Sequence, residues 1–209
     1  MLAVTAALVL TGRDSGRDAV LAQGAGCPSP ANAIVAENCL TGDTDWDLTG
    51  GNDPAIQGFA TDISINTGET VNFKIKTDAT SYRIDIYRLG YYAGAGARKV
   101  STGTISRTPA EVQAQAQPAC SADDTTGLVD CGTWAPSALW TATGATSGIY
   151  LAKLTRTDSG FTGSGTSHIV FIVRDDAHQS DVLFQTSDTT CSCRRCSLPS
   201  ASSRRPRCR

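Results

Sequence analysis

Short alternations of apolar and polar residues, not helical stripes, organise the middle of this chain. TVNFKIKT (70–77) sets Val71, Phe73 and Ile75 on one face and Asn72, Lys74 and Lys76 on the other, the period of two of a half-buried strand. YRIDIYRLG repeats the pattern with Tyr82, Ile84 and Ile86 against Arg83, Asp85 and Tyr87. TDISIN (Ile63, Ile65), KVSTGTIS, SALWTAT, GIYLAKLTR (Ile149, Leu151, Leu154), SHIVFIVRD (Ile169, Phe171, Val173) and DVLFQTS continue the series. NTGET reads as a turn and YYAGAGARKV as a Gly-rich hairpin connection. Short strands with frequent turns, and no alternation of strand with helix, predict an all-β fold. The expected architecture is an antiparallel β-sandwich of immunoglobulin or fibronectin type III character with disordered termini.

This pattern divides the chain. Residues 1–26 form a signal-like, disordered N-terminus, and 27–57 a disulfide-closed, loop-like lead-in. Residues 58–190 make the sandwich, with a looser stretch from Pro109 to about Thr133 inside it. Residues 191–209 are an Arg/Ser/Cys tail in which alternation stops at once, and such a composition buries too little surface to offset its ordering entropy. A length of 209 residues suits one ordinary domain with tails.

Charge sharpens the division. The net charge is −2, yet residues 191–209 carry six Arg and no acid, which leaves 12 basic and 20 acidic groups on the other 190 residues. An acidic body repels nucleic acid and anionic membrane, and a short cationic tail binds phosphate only generically. Nucleic acid is therefore not expected as a partner. MLAVTAALVLTG is too short to span a bilayer, which takes about 20 residues. It resembles the apolar region of a secretory signal without its charged start, and Val20-Leu21-Ala22 offers a small-residue cleavage pattern. Export to the periplasm, cell surface or medium is expected, with no membrane span. Cysteine usage agrees: Cys27 with Cys39, and Cys120 with Cys131, bound short loops without CxxC spacing or nearby histidine. Two local disulfides are the simplest reading, each contributing roughly 2–3 kcal/mol by the chain-entropy model, with buried free thiols as the alternative.

Candidate chemistry is sparse. Asp43, Asp45 and Asp47 open like a calcium loop, but Leu48 stands where the sixth-position Gly belongs and Pro54 where the twelfth-position Glu belongs. An EF-hand is excluded; an irregular calcium site or a solvated turn with Trp46 tucked against the sandwich remain. Tyr82, Tyr87, Tyr91 and Tyr92, interleaved with Arg83 and Arg88, offer an aromatic ligand surface for carbohydrate, or else fill strand and corner positions. Cys191, Cys193, Cys196 and Cys208 supply four soft atoms but lack paired zinc-knuckle spacing. The two histidines, His168 and His178, form no triad: Ser180 is too close to His178, and no GxSxG elbow exists. No catalytic residue and no cofactor are assigned.

From AIQGFATDISINTGETVNFKIKTDATSYRIDIYRLGYYAGAGARKV onward the chain resembles the N-terminal β-sandwich region of secreted bacterial proteins related to the large (beta) subunit of N,N-dimethylformamidase. NAIVAENCLTG, TGLVDCGTW, SGIYLAKLTR, SHIVFIVRDD and DVLFQTSDTT extend the likeness over about residues 32–190, with IYRLGYY and FQTSDTT the most specific pieces. In that family the FQTSDTT strand leads into a larger α/β domain with the amidohydrolase-type site, where the formamidase holds iron through tyrosines and a carboxylate. Here the pattern breaks at Cys191, so the resemblance carries over no catalytic or metal-binding residue. It implies a non-catalytic accessory module whose partner is a neighbouring catalytic domain normally in the same chain. A free-standing carbohydrate- or cell-surface-binding module is the alternative, and a metal- or nucleic-acid-binding tail a third. The break also suggests that residues 191–209 come from a shifted reading frame, truncating the protein before its catalytic domain.

Overall fold

A computed structural model describes residues 30–180, with Leu183 and Gln185. The elements run α1 (Ala33–Asn38), β1 (Ile56–Ala60), β2 (Ser64–Asn66), β3 (Thr70–Thr77), β4 (Tyr82–Leu89) and β5 (Ala97–Arg107). They continue with α2 (Pro109–Ala114), β6 (Ser121–Asp123), β7 (Leu128–Asp130), β8 (Ala138–Thr141), β9 (Gly148–Arg156) and β10 (Thr166–Arg174).

The strands form a three-stranded sheet, β1-β3-β8, and a five-stranded sheet, β2-β10-β9-β4-β5, with β6-β7 a separate ribbon. All pairs are antiparallel except β2 with β10. The alternating residues meet between the two main sheets. Val71, Phe73 and Ile75 of β3, Tyr82, Ile84 and Ile86 of β4, and Ile169, Phe171 and Val173 of β10 share one core with Trp140 and Tyr150. Phe171 contacts Phe73, Trp140 and Tyr150 at centroid distances of 5.6–5.8 Å, within the range where aromatic pairs add to simple burial. The fold is an all-β sandwich.

Several expectations shift in detail. In TDISIN only Ser64–Asn66 is strand, and Ile63 lies exposed beside it while Ile65 is buried. The stretch after Pro109 is not formless. α2 starts on a capping box in which Glu111 accepts from both the backbone N–H and the hydroxyl of Thr108 at 2.8 Å, with Pro109 in the first turn. The β6–β7 ribbon follows, closed by a Cys120–Cys131 disulfide. Trp134 ties this segment to the sheet, donating to the Pro118 carbonyl at 3.0 Å and stacking on Phe59 at 5.7 Å. The lead-in holds α1, capped by the Asn32 side chain on the Val35 N–H. Residues 1–29, most of DVLFQTS and the whole of 191–209 lie outside the described residues, including Cys27, Cys191, Cys193, Cys196 and Cys208.

Candidate functional site

Two polar systems stand out, one where α1 meets the end of β4 and β5, the other across the outer face of the five-stranded sheet. Both exist because a strand can be covered on two faces. β4 turns Tyr82, Ile84, Ile86 and Arg88 one way and Arg83, Asp85, Tyr87 and Leu89 the other, and both sets are largely buried.

In the first system the burial of α1 is inverted. Its one buried side chain is Glu37, while Ile34, Val35 and the following Leu40 face outward at 42%, 40% and 48% exposure. The Glu37 carboxylate accepts from Arg98 Nε at 2.7 Å and pairs with its Nη2 at 2.5 Å. It also accepts from the Tyr92 hydroxyl at 2.8 Å and from Thr146 at 3.3 Å. Tyr92 in turn accepts from Arg88 Nη1 at 3.0 Å. Arg88 spends its other donors on the Leu89, Thr146 and Ser147 carbonyls. Asn38 accepts from the Tyr91 N–H at 2.6 Å, locking α1 to the same corner. The corner is strained: Tyr92 and Ala93 take φ values of 41° and 56°, a region non-glycine residues rarely occupy. Burial first pushes the Tyr92 phenol up from its ordinary value.

In the second system the segment Gly42–Asp53 straps the sheet. Asp43 N–H donates to the Ala97 carbonyl at 2.8 Å, and the Trp46 indole donates to Ala95 at 2.8 Å. Trp46 packs on Tyr87, Ala97 and Leu151. Lys153 of β9, nearly buried, donates to the Asp45 carbonyl, to the Asp45 carboxylate at 3.2 Å and to the Asp47 carbonyl at 3.3 Å. His168 of β10 meets the Trp46 carbonyl at 2.6 Å through Nε2. Register aligns His168, Lys153, Asp85 and Thr104 in one row across four strands. Asp85, fully buried, is held by Arg83 at 2.6 Å, Lys99 at 2.8 Å and Thr104 at 2.8 Å. Its burial would raise the carboxyl, but these three donors together keep it below the ordinary value. At the strap's end Asp53 accepts the Gly165 N–H at 2.8 Å and the Ala55 N–H at 2.9 Å.

The residues singled out in the sequence are scattered by this geometry. Tyr82 lies in the core, Tyr87 under the strap and Tyr92 in the Glu37 network, all buried, with Arg88 beside Tyr92. Tyr91, at 46% exposure, and Arg83 lie nearer the surface, so the six do not form one face. Asp43, Asp45 and Asp47 do not converge: Asp45 faces Lys153 and Tyr87, and Asp43 accepts from the Asp45 N–H. Among the described residues no three His, Cys, Asp or Glu side chains gather as a metal-ligand set. Cys120 and Cys131 are bonded to each other, and Cys39 is disulfide-bonded. His178 sits in its loop against Asp175 at 2.8 Å. Glu37, Arg98, Lys153 and the strap contact of His168 carried no sequence assignment. A lysine at an apolar position of GIYLAKLTR, and a glutamate in AIVAEN, were the available signals of a buried partner.

Tyr92, Tyr150 and Glu37 come nearest to the tyrosine-and-carboxylate iron set that the resemblance implies for the formamidase. They do not fit it. Arg88 and Arg98 already supply the cations there, and Tyr150 donates away to the Thr146 carbonyl at 2.6 Å. Burial pushes both phenols up from their ordinary value, Tyr150 far up, disfavouring the phenolate a metal needs. A cavity of about 20 Å³ under α2, lined by Tyr82, Gln115, Gln117 and Ser137, has room for one water and not for a substrate. Among the described residues no helix is long and apolar enough to cross a membrane.

The class defined here is an all-β sandwich with two polar systems that hold α1 and the Gly42–Asp53 strap to its sheets. A family model described as N,N-dimethylformamidase beta subunit-like, C-terminal, matches residues 83–192. That is more than half of the chain, and the chain belongs to this family. The match starts inside β4, although β1 and β3 supply Ile56, Val71, Phe73 and Ile75 to the same core, so the folding unit is longer than the matched stretch. No curated protein matches the chain.

Proposed function

We propose that residues 30–180 are a non-catalytic, structural module of an exported, N,N-dimethylformamidase beta subunit-like protein, packing on and orienting a hydrolase domain. In this reading the sandwich packs beside the hydrolase portion and takes no part in its chemistry. The beta-subunit description of the family adds a subunit-type partner as a second contact. One observation carries the proposal: α1 buries its glutamate and turns Ile34, Val35 and Leu40 outward, an arrangement suited to docking rather than to an isolated surface helix. The engagement of Glu37, Asp85, Lys153 and His168 in structural contacts supports it. The cysteine pairing supports export. The test is hydrolysis of N,N-dimethylformamide and simple amides by the purified 209-residue chain, with and without added iron. Turnover is expected to stay at the buffer rate; turnover that co-elutes with the folded chain and disappears in Glu37→Gln would refute the reading.

A further inference from the structure

We propose that the Gly42–Asp53 strap is a pH-responsive latch, closed over the outer face of the five-stranded sheet while His168 is neutral and released around Trp46 when His168 takes a second proton. A carbonyl only accepts, so the 2.6 Å contact with Trp46 places the proton of the neutral ring on Nε2. The closed strap covers this face with Trp46, and the row position beside His168 is held by the Lys153 ammonium. A second proton on the imidazole therefore puts two cations side by side in a half-buried place.

The groups facing the ring are Lys153 from β9 and Asp45 and Asp47 from the strap. Asp45 is already engaged with Lys153, and Asp47 favours the charged ring. Burial acts first to lower the imidazole from its ordinary value, and Lys153 acts in the same direction; the Trp46 bond and Asp47 oppose them without cancelling. The rest of the strap is held by contacts that do not titrate near neutrality, including Asp43 to Ala97 and Asp53 to Thr166 at 2.8 Å each. Opening can therefore be confined to the turns around Trp46.

The closed state has the lower imidazole pKa, so its advantage is complete above the ordinary histidine value of about 6.5 and declines as pH falls below it. The open fraction rises as pH falls through that value, and it stops rising below the closed-state value. Opening uncovers Tyr87, Leu151 and the Lys153–Asp45 pair.

The test uses the whole oxidised 209-residue protein. Amide exchange, corrected for intrinsic rates, is compared at pH 7.5 and 5.5 for strap amides Asp45 and Leu48 and for core amides of β9. NMR follows the two imidazoles of the chain, distinguished by His178→Ala. Support is a loss of strap protection at pH 5.5 with unchanged β9 protection, His168 titrating below about 6.5, and a flat response in His168→Gln, whose amide still donates to Trp46. Equal strap protection at both pH values, the same loss in His168→Gln, or His168 titrating at or above about 6.5 overturns the proposal. Should His168→Gln fail to fold, the wild-type exchange and titration still decide it.

Discussion

Replacing Glu37 by Gln keeps the shape of the side chain and removes only its charge. Two guanidinium groups then share a corner with no counter-charge: Arg98, bonded to Glu37 through two nitrogens, and Arg88, linked through the Tyr92 hydroxyl. Breaking a buried pair by removing one partner costs about 3–5 kcal/mol. Arg98 keeps 24% of its side chain accessible and can recruit water, which places the expected loss at the lower end, about 3 kcal/mol. For a domain of this size that corresponds to a fall in melting temperature of roughly 6–12 °C. Urea unfolding of the oxidised protein, followed by far-ultraviolet circular dichroism, measures it as a lower midpoint at constant slope. The double variant Glu37→Met/Arg98→Met should recover much of the loss, since apolar replacement of a whole buried pair is often neutral. A loss below about 1 kcal/mol for Glu37→Gln would refute the claim that this pair anchors α1, because a loss that small is what an exposed ion pair gives.

Three further outcomes follow from separate contacts. Gly96 has φ +85°, and a Cβ there would lie 2.9 Å from the Trp46 ring; Gly96→Ala should cost about 2 kcal/mol in urea unfolding, and a change under about 0.5 kcal/mol contradicts the close fit of the strap. Cys120→Ser/Cys131→Ser opens a loop whose closure contributes at most about 3 kcal/mol. The β6–β7 amides should lose exchange protection while those of β10 keep it, and loss of both together argues against a local ribbon. Asp158, paired with Arg156 at 2.8 Å, is held down to about 2, and Asp53 and Asp85 also lie below their ordinary values. Depressed carboxyls stabilise the fold above their unfolded values and lose that contribution as pH falls toward the folded ones. Stability should therefore decline between about pH 4 and pH 2, and Asp158→Asn should shallow that slope; an unaltered acid limb would contradict the pairing.

The sandwich was legible because one face of each strand obeys a simple period. Val71, Phe73 and Ile75, or Ile169, Phe171 and Val173, alternate strictly and are all buried between the sheets. What escaped the pattern is the second covered face. In β9, Tyr150 through Leu154 are buried in an unbroken run, since Tyr150, Ala152 and Leu154 face the core while Leu151 and Lys153 face the strap. Periodicity cannot announce such a cover when the covering segment, GDTDWDLTGGND, is itself acidic and irregular. The tyrosines of IYRLGYY look like an exposed aromatic surface for the same reason: their partners, Glu37 and Trp46, come from some 40–60 residues earlier. α2 was legible in principle, through Thr108-Pro109-Ala110-Glu111, but six residues make too short a helix for its periodicity to register. α1 misleads more deeply, because its apolar residues point away from the sandwich.

That outward face offers the most direct test of an accessory role. The 209-residue chain can be mixed with a separately produced hydrolase portion of an N,N-dimethylformamidase beta subunit-like protein, and association followed by size-exclusion chromatography and calorimetry. A docking module predicts a complex at micromolar concentration or tighter. Val35→Asp/Leu40→Asp should weaken it at least tenfold while leaving the unfolding midpoint of the chain unchanged. No complex, or one indifferent to those substitutions, would contradict the assignment of this sandwich as a module that packs through α1.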